Sequence, residues 1–271
     1  LSHLLSLTGL VLWTYFLMLH LFNWKETKQE LTKPPLLSGM ATFPMAGMIL
    51  STYVFRVFPH LPLVAQGLWW FSFLLDVALI AGFTIKFACP GRRVHATPSW
   101  TVLYVGIAVA ALTYPLVGII EIAYATLSFG FLLTFYLYPL IYSDLKKHPL
   151  PLAMLGQEGI YCAPFSLLLA SLVRVGGASL PTWVLIVMIL SSQSFFFFVL
   201  TRLPNILKQG FQPAFSALTF PTIITATSLK MAQGILKLPF LDYLVLAETV
   251  ICLIILLFVL GAYLIWLQKK V

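Results

Sequence analysis

The sequence predicts an all-α integral membrane protein, and three observations predict it. Of the 271 residues, 61% are hydrophobic and only 9% are charged, against roughly a quarter charged in soluble domains. Mean hydropathy is +0.99. Apolar runs of about 20 residues recur along the whole chain, the length a helix needs to cross a bilayer and twice that of a barrel strand. Nothing remains for a soluble domain, so residues 1–271 read as a single transmembrane domain.

Windows of about 19 residues place nine spans near 1–22, 36–56, 64–87, 99–118, 121–143, 157–175, 181–202, 213–231 and 242–267. The first lacks a basic leader and a small-residue cleavage site, so it is a span rather than a signal peptide. Two kinds of helix then alternate. Spans 1–22, 64–87, 121–143, 181–202 and 242–267 are bulky, as in WWFSFLLDVALIAGF, FFFFVL and ICLIILLFVL, and read as lipid-facing. Those between them are built of small residues with a proline: SGMATFPMAGMILS (Pro44), TPSWTVLYVGIAVAALT (Pro98), IYCAPFSLLLAS (Pro164) and SALTFPTIITATS (Pro221).

The four prolines are 54, 66 and 57 residues apart, the period of a helix hairpin, and ATFPMAGMILS and LTFPTIITATS show the repeat most clearly. Small residues allow close helix approach, and a proline inside a span is tolerated only where protein or a cavity satisfies the freed carbonyls. The small-residue helices are therefore central. An inner ring of slim, kinked helices either packs solid or encloses a narrow conduit, and composition does not choose between the two.

Orientation follows from the lysines and arginines. Twelve (Lys25, Lys28, Lys33, Lys86, Arg92, Arg93, Lys146, Lys147, Arg202, Lys208, Lys269 and Lys270) fall on one side, against four (Arg56, Arg174, Lys230 and Lys237) on the other. The side with twelve is cytoplasmic, which puts the C-terminus inside and Leu1 at the outer face. A fold built of pairs then calls for one more helix before Leu1, ten in total. The formal charge of +8 is mostly this topological signal and does not argue for nucleic acid.

The remaining polar residues exclude more than they assign. Cys89, Cys162 and Cys252 are odd in number and widely spaced, and the five histidines are dispersed, so neither a disulfide framework nor a metal site is indicated. No HExxH, GxSxG or P-loop occurs, and no nucleophile stands beside a base, so no catalytic residue and no enzyme is predicted. Arg56, Arg174 and Lys230 follow or end three of the small-residue helices. They either gather anions at an outer mouth or snorkel to the interface. No acidic ring accompanies the Thr, Ser and Gly of these helices, which favours anions over cations. Asp76 and Glu248 fall on bulky helices and Glu121 at a hairpin turn, so all three are read as pairing between helices or protomers rather than as a proton relay.

The blocks KPPLLSGMATFPMAG (Lys33 to Gly47), PSWTVLYVGIAVAALT (Pro98 to Thr113), APFSLLLASL (Ala163 to Leu172) and above all QPAFSALTFPTIITATSLK (Gln212 to Lys230) resemble the tellurite-resistance and dicarboxylate transporter family. Its relatives include plant slow anion channels, malate permeases and sulfite exporters. The resemblance covers essentially the whole chain and makes the Pro44 helix the family's third. It implies ten helices in five hairpins about a quasi-fivefold pore, nine of them present here, with odd-numbered helices lining the pore, and a homotrimer with one pore per protomer.

The resemblance also implies a phenylalanine occluding the pore at the position of Phe220. A ring held over a narrow apolar pore by the following Pro221 is a dewetting gate. Phe43 occupies the same Phe-Pro position and is a candidate second constriction. Pro44, Pro98, Pro164 and Pro221 kink the lining helices, and Glu158, opening the family's seventh helix, is a candidate residue of the inner entrance. The reading is a multi-pass plasma-membrane anion channel or transporter, without cofactor, catalytic residue or metal, whose partners are small inorganic or organic anions and lipid. The alternative is a proton-coupled carrier or exporter of C4-dicarboxylate, tellurite or sulfite.

Overall fold

The computed structural model describes residues 2–89, 91 and 93–269; Leu1 and the cations Arg92 and Lys270 used for orientation lie outside the described residues. The described residues are helical, with no strand among them. In order they form α1 (Ser2–Phe22), α2 (Trp24–Glu30), α3 (Pro34–Gly39), α4 (Thr42–Val57), α5 (Pro62–Phe83), α6 (Ser99–Val105), α7 (Val109–Thr113), α8 (Ile120–Lys147), α9 (Ala163–Gly176), α10 (Thr182–Lys208), α11 (Thr219–Leu236) and α12 (Pro239–Gln268). Two long 3-10 segments, Leu152–Cys162 and Pro213–Leu218, lead into α9 and α11.

Among the described residues, eight stretches are long and apolar enough to cross a membrane: His3–Phe22, Pro34–Val57, Pro62–Ala88, Ser99–Leu116, Ile120–Lys147, Leu152–Ser179, Thr182–Lys208 and Pro239–Gln268. These match eight of the nine spans predicted. The ninth, 213–231, is helical as α11 but stands outside that set. Its threonines, Ser228, Lys230 and Gln233 lower its hydropathy, and it contributes a largely buried face instead.

Burial follows the predicted alternation. The small-residue spans Pro34–Val57, Ser99–Leu116 and Leu152–Ser179 are 56, 78 and 72% buried, whereas the bulky spans range from 6 to 39%. Each inner span is also broken. Pro44, Pro164 and Pro221 have no amide hydrogen, and each ring clashes with the carbonyl four residues earlier. The α-helix therefore restarts at Thr42, Ala163 and Thr219, within three residues of each proline. Pro98 differs, because it precedes the first residue of α6 and kinks nothing. That span is broken further on, by the 3-10 turn Gly106–Ala108.

The chain divides into two compact units, Leu1–His95 with Val102–Gly130, and Ala96–Thr101 with Phe131–Val271. In the first, Gly47 on α4 lies against Ser72 on α5, so closely that an added Cβ would sit 2.2 Å from the hydroxyl. Trp13 of α1 packs on the same glycine. Trp69 donates from Nε1 to Thr113 Oγ1 at 2.8 Å, the Thr84 and Tyr104 hydroxyls are 2.8 Å apart, and Gly106 abuts Met45.

In the second unit, Phe196 of α10, Ala226 of α11, Cys252 of α12 and Cys162 close one core cluster. Ile206, Phe215, Leu218, Ile255 and Val259 close another. Tyr138 donates its hydroxyl to Tyr161 O at 2.6 Å and stacks on Phe195 with ring centres 4.6 Å apart. Two glycines join the 3-10 segments. A Cβ on Gly156 would stand 2.3 Å from Ala214 O, and one on Gly159 would stand 2.9 Å from Ala217 O.

Gly156→Ala therefore forces one backbone away from another and should cost about 1–3 kcal/mol, the range for overpacking. Gly67, exposed on α5 with nothing within 4 Å of an added Cβ, gains helix propensity instead, and Gly67→Ala should stabilise by about 0.5–1 kcal/mol. Thermal unfolding in detergent should show melting temperatures moving in opposite directions.

Candidate functional site

Phe220 is the second residue of α11, directly before Pro221 and two residues after the 3-10 segment Pro213–Leu218 ends. It is half-buried. Other rings of the second unit are engaged: Phe211 with Phe215, Tyr161 with Phe198, and Phe165 with Tyr138 and Phe195. Among the described residues Phe220 makes no ring contact. It stands between the buried residues Leu218 and Pro221 in the chain.

Around this break the carbonyls are met by small hydroxyl side chains. Thr222 donates to Leu218 O and Thr225 to Pro221 O, each at 2.9 Å. Ser166 Oγ lies 2.5 Å from Cys162 O, 2.8 Å from Ser192 Oγ and 2.9 Å from Thr225 Oγ1. It is a fully buried hub joining α9, α10 and α11. The Cys252 thiol of α12 donates to Thr222 O at 3.0 Å. This hub was missed in the sequence, although one regularity marks its member Ser192. Ser72, Thr126 and Ser192 each follow their hairpin proline by 28 residues, Glu248 follows Pro221 by 27, and all four are buried.

Asp76 and Glu248, read from the sequence as pairing between helices or protomers, are both buried. Among the described residues neither carboxylate makes a hydrogen bond of good geometry. Gln193 of α10 lies beside Glu248, yet its amide is also without a hydrogen-bond partner of good geometry.

Two candidate positions change character in the structure. The ring of Phe43 is stacked on Trp13 of α1, with centres 4.6 Å apart and planes 6° from parallel, and Trp13 Nε1 donates to Phe43 O at 2.9 Å. It is thus committed to an outer helix rather than standing free as a second constriction. Glu158, the candidate inner-entrance residue, has both oxygens occupied: Arg202 donates from Nε and Nη2 at 2.9 Å each. The Glu158 side chain is 14% exposed and that of Arg202 42%, so this carboxylate presents no free negative charge.

The three outer cations remain exposed. Arg56 ends α4 and lies 5.6 Å from the Tyr53 ring centre. Arg174 occupies the last turn of α9. Lys230 does not end its helix, because α11 continues to Leu236 and closes on Lys237 in the left-handed region at φ 52°. No group of three or more metal-binding side chains is found among the described residues.

The sequence pattern of the family described as SLAC1, voltage-dependent anion channel, matches residues 2–264. A comparison with individually curated proteins gives no match.

Ser166→Ala removes the centre of the hydroxyl hub and leaves Ser192 Oγ and Thr225 Oγ1 without this partner. It should destabilise the protein by about 1–3 kcal/mol, the penalty for orphaned buried polar groups. In a double-mutant cycle with Ser192→Ala, the two losses should be less than additive.

Proposed function

Because this chain belongs to the SLAC1 family of voltage-dependent anion channels, we propose that it passes small anions across the plasma membrane along its proline-broken inner helices and that Phe220 is the gate. Family membership makes it a multi-pass membrane protein of the anion channel and transporter class. The observation that carries the gate is the state of Phe220 itself. It is a half-buried ring without an aromatic partner, next to a proline, where other rings of the second unit are engaged. Such a ring in a narrow apolar passage blocks by excluding water, and its removal opens the passage.

Exclusion of cations rests on charge. Arg56, Arg174 and Lys230 are exposed, while Glu158 is neutralised by Arg202. The homotrimer and the cytoplasmic C-terminus belong to the same proposal, the first from the resemblance and the second from the lysine and arginine distribution.

One observation favours the carrier as second reading. Asp76 and Glu248 are buried carboxyl groups without a hydrogen bond of good geometry among the described residues, and intramembrane carboxyl groups are the usual proton sites of carriers. Flux that saturates with anion concentration and follows a pH gradient would select it, with malate, tellurite and sulfite as the anions to try.

In planar bilayers, Phe220→Ala should raise anion current by at least about tenfold, equivalent to removing a barrier of about 1.4 kcal/mol. An unchanged current would remove the gate. Replacing Arg56, Arg174 and Lys230 together by Gln should lower anion current at about 20 mM salt. The effect should largely vanish near 1 M, where screening acts within about 3 Å. An equal loss at both salts would mean that these side chains act through folding rather than through their field.

A further inference from the structure

We propose that the Glu158–Arg202 ion pair is a clamp that positions Phe220, an inference that rests on reading Phe220 as the gate. Glu158 stands in the 3-10 segment Leu152–Cys162, between Gly156 and Gly159. Its carboxylate is held by both Nε and Nη2 of Arg202 on α10, at 2.9 Å each. The planar guanidinium fixes direction as well as distance, so the pair sets where this segment lies against α10.

The two flanking glycines pass that placement on. An added Cβ on Gly156 would lie 2.3 Å from Ala214 O and 2.9 Å from Phe215 N, and one on Gly159 would lie 3.1 Å from Leu218 Cα. At Gly156 backbone therefore rests on backbone with no side chain between, while at Gly159 the end of the Leu218 side chain is the group nearest to the added Cβ, at 2.6 Å. The segment so touched, Pro213–Leu218, ends two residues before Phe220. It is held from its other side by Ile206 on α10, one turn beyond Arg202, and by Ile255 and Val259 on α12. The ion pair, the glycine contact and the gate-bearing turn form one contiguous stack in the second unit. An eleven-residue 3-10 run is itself unusual, such runs rarely exceeding four residues and often marking hinges.

The test uses the whole chain with Arg202→Gln, Arg202→Lys and the exchanged pair Glu158→Arg with Arg202→Glu, each alone and combined with Phe220→Ala. Breaking the pair should raise anion current about fivefold, the factor for roughly 1 kcal/mol of lost positioning. Arg202→Lys, which keeps the charge but loses the fork, should fall between, and the exchanged pair should return toward the native current. In the Phe220→Ala background all of these should differ by less than about twofold. Equal changes in both backgrounds, or none in either, would overturn the clamp.

A second readout separates this inference from the gate. The rate at which a thiol reagent modifies Phe220→Cys reports the placement of residue 220 whether or not it controls current, with the Phe220→Ala variant as the blank for the native cysteines. A rate altered about fivefold by Arg202→Gln and restored by the exchanged pair supports the clamp even if Phe220→Ala leaves the current unchanged. An unaltered rate sinks the clamp while leaving the gate standing.

Discussion

Each inner span is broken, and the rest of the structure is arranged to satisfy that break. In hydrocarbon an unmet backbone carbonyl costs several kcal/mol, so proline inside a span is stable only if something nearby replaces the lost hydrogen bond. Here the replacements are local. The amide of Phe43 closes a tight turn on Met40 O at 2.9 Å, and the amide of Ala163 closes on Ile160 O, the two carbonyls that Pro44 and Pro164 leave without their usual donor. Hydroxyl side chains small enough to reach their own backbone add second hydrogen bonds nearby, Thr222 to Leu218 O, Thr225 to Pro221 O and Ser166 to Cys162 O. Because these side chains are slim, neighbouring helices come close, as at Gly47 and Gly106 in the first unit and Gly156 and Gly159 in the second.

The bulky helices follow from the same constraint. A slim, partly polar helix cannot face lipid, so each is backed by a long helix whose outer side is apolar and exposed, such as α12 with Leu253, Ile254, Leu257 and Leu260. The inner side of each backing helix carries one small polar residue at a fixed distance from the hairpin proline: Ser72, Thr126 and Ser192. Where contacts are seen, Ser72 fills the space over Gly47 and Ser192 joins the hub at Ser166. Glu248 stands in that register in the last hairpin, one residue out of step. It is a charge-bearing group where the other hairpins have a hydroxyl.

The alternation of slim and bulky helices, the central burial of the slim ones and the breaks near Pro44, Pro164 and Pro221 were legible in the sequence, because each is local chemistry repeated at a fixed period. Pro98 misled because a proline before a helix and one inside it look alike without the helix boundary. Phe43 misled for a different reason: the Phe-Pro pair recurs, but Trp13, 30 residues away, claims one of the two rings. Glu158 was legible as a charge at an inner end, yet its partner lies 44 residues on, a separation that no spacing rule connects. The hydroxyl hub lay hidden because single Ser and Thr residues are common in packed helices, and of its three members only Ser192 stands in the 28-residue register.

The distribution of free charge follows from these pairings. A passage that favours anions needs accessible cations and no accessible carboxylate, and dispersed acidic residues would defeat it even with the cations in place. In the first unit Asp76 is withdrawn from solvent and Arg56 is left exposed. In the second, Glu248 is withdrawn, Asp144 is buried against the amide of Ala96, and Glu158 is bound by Arg202, while Arg174 and Lys230 stay exposed. Asp76, Glu248, Asp144 and Glu158 are thus withdrawn or paired, while Glu121 in the first turn of α8 stays exposed. Burial of an unpaired carboxyl is costly and contributes nothing to packing, so the asymmetry is better explained by what the surface must attract than by stability.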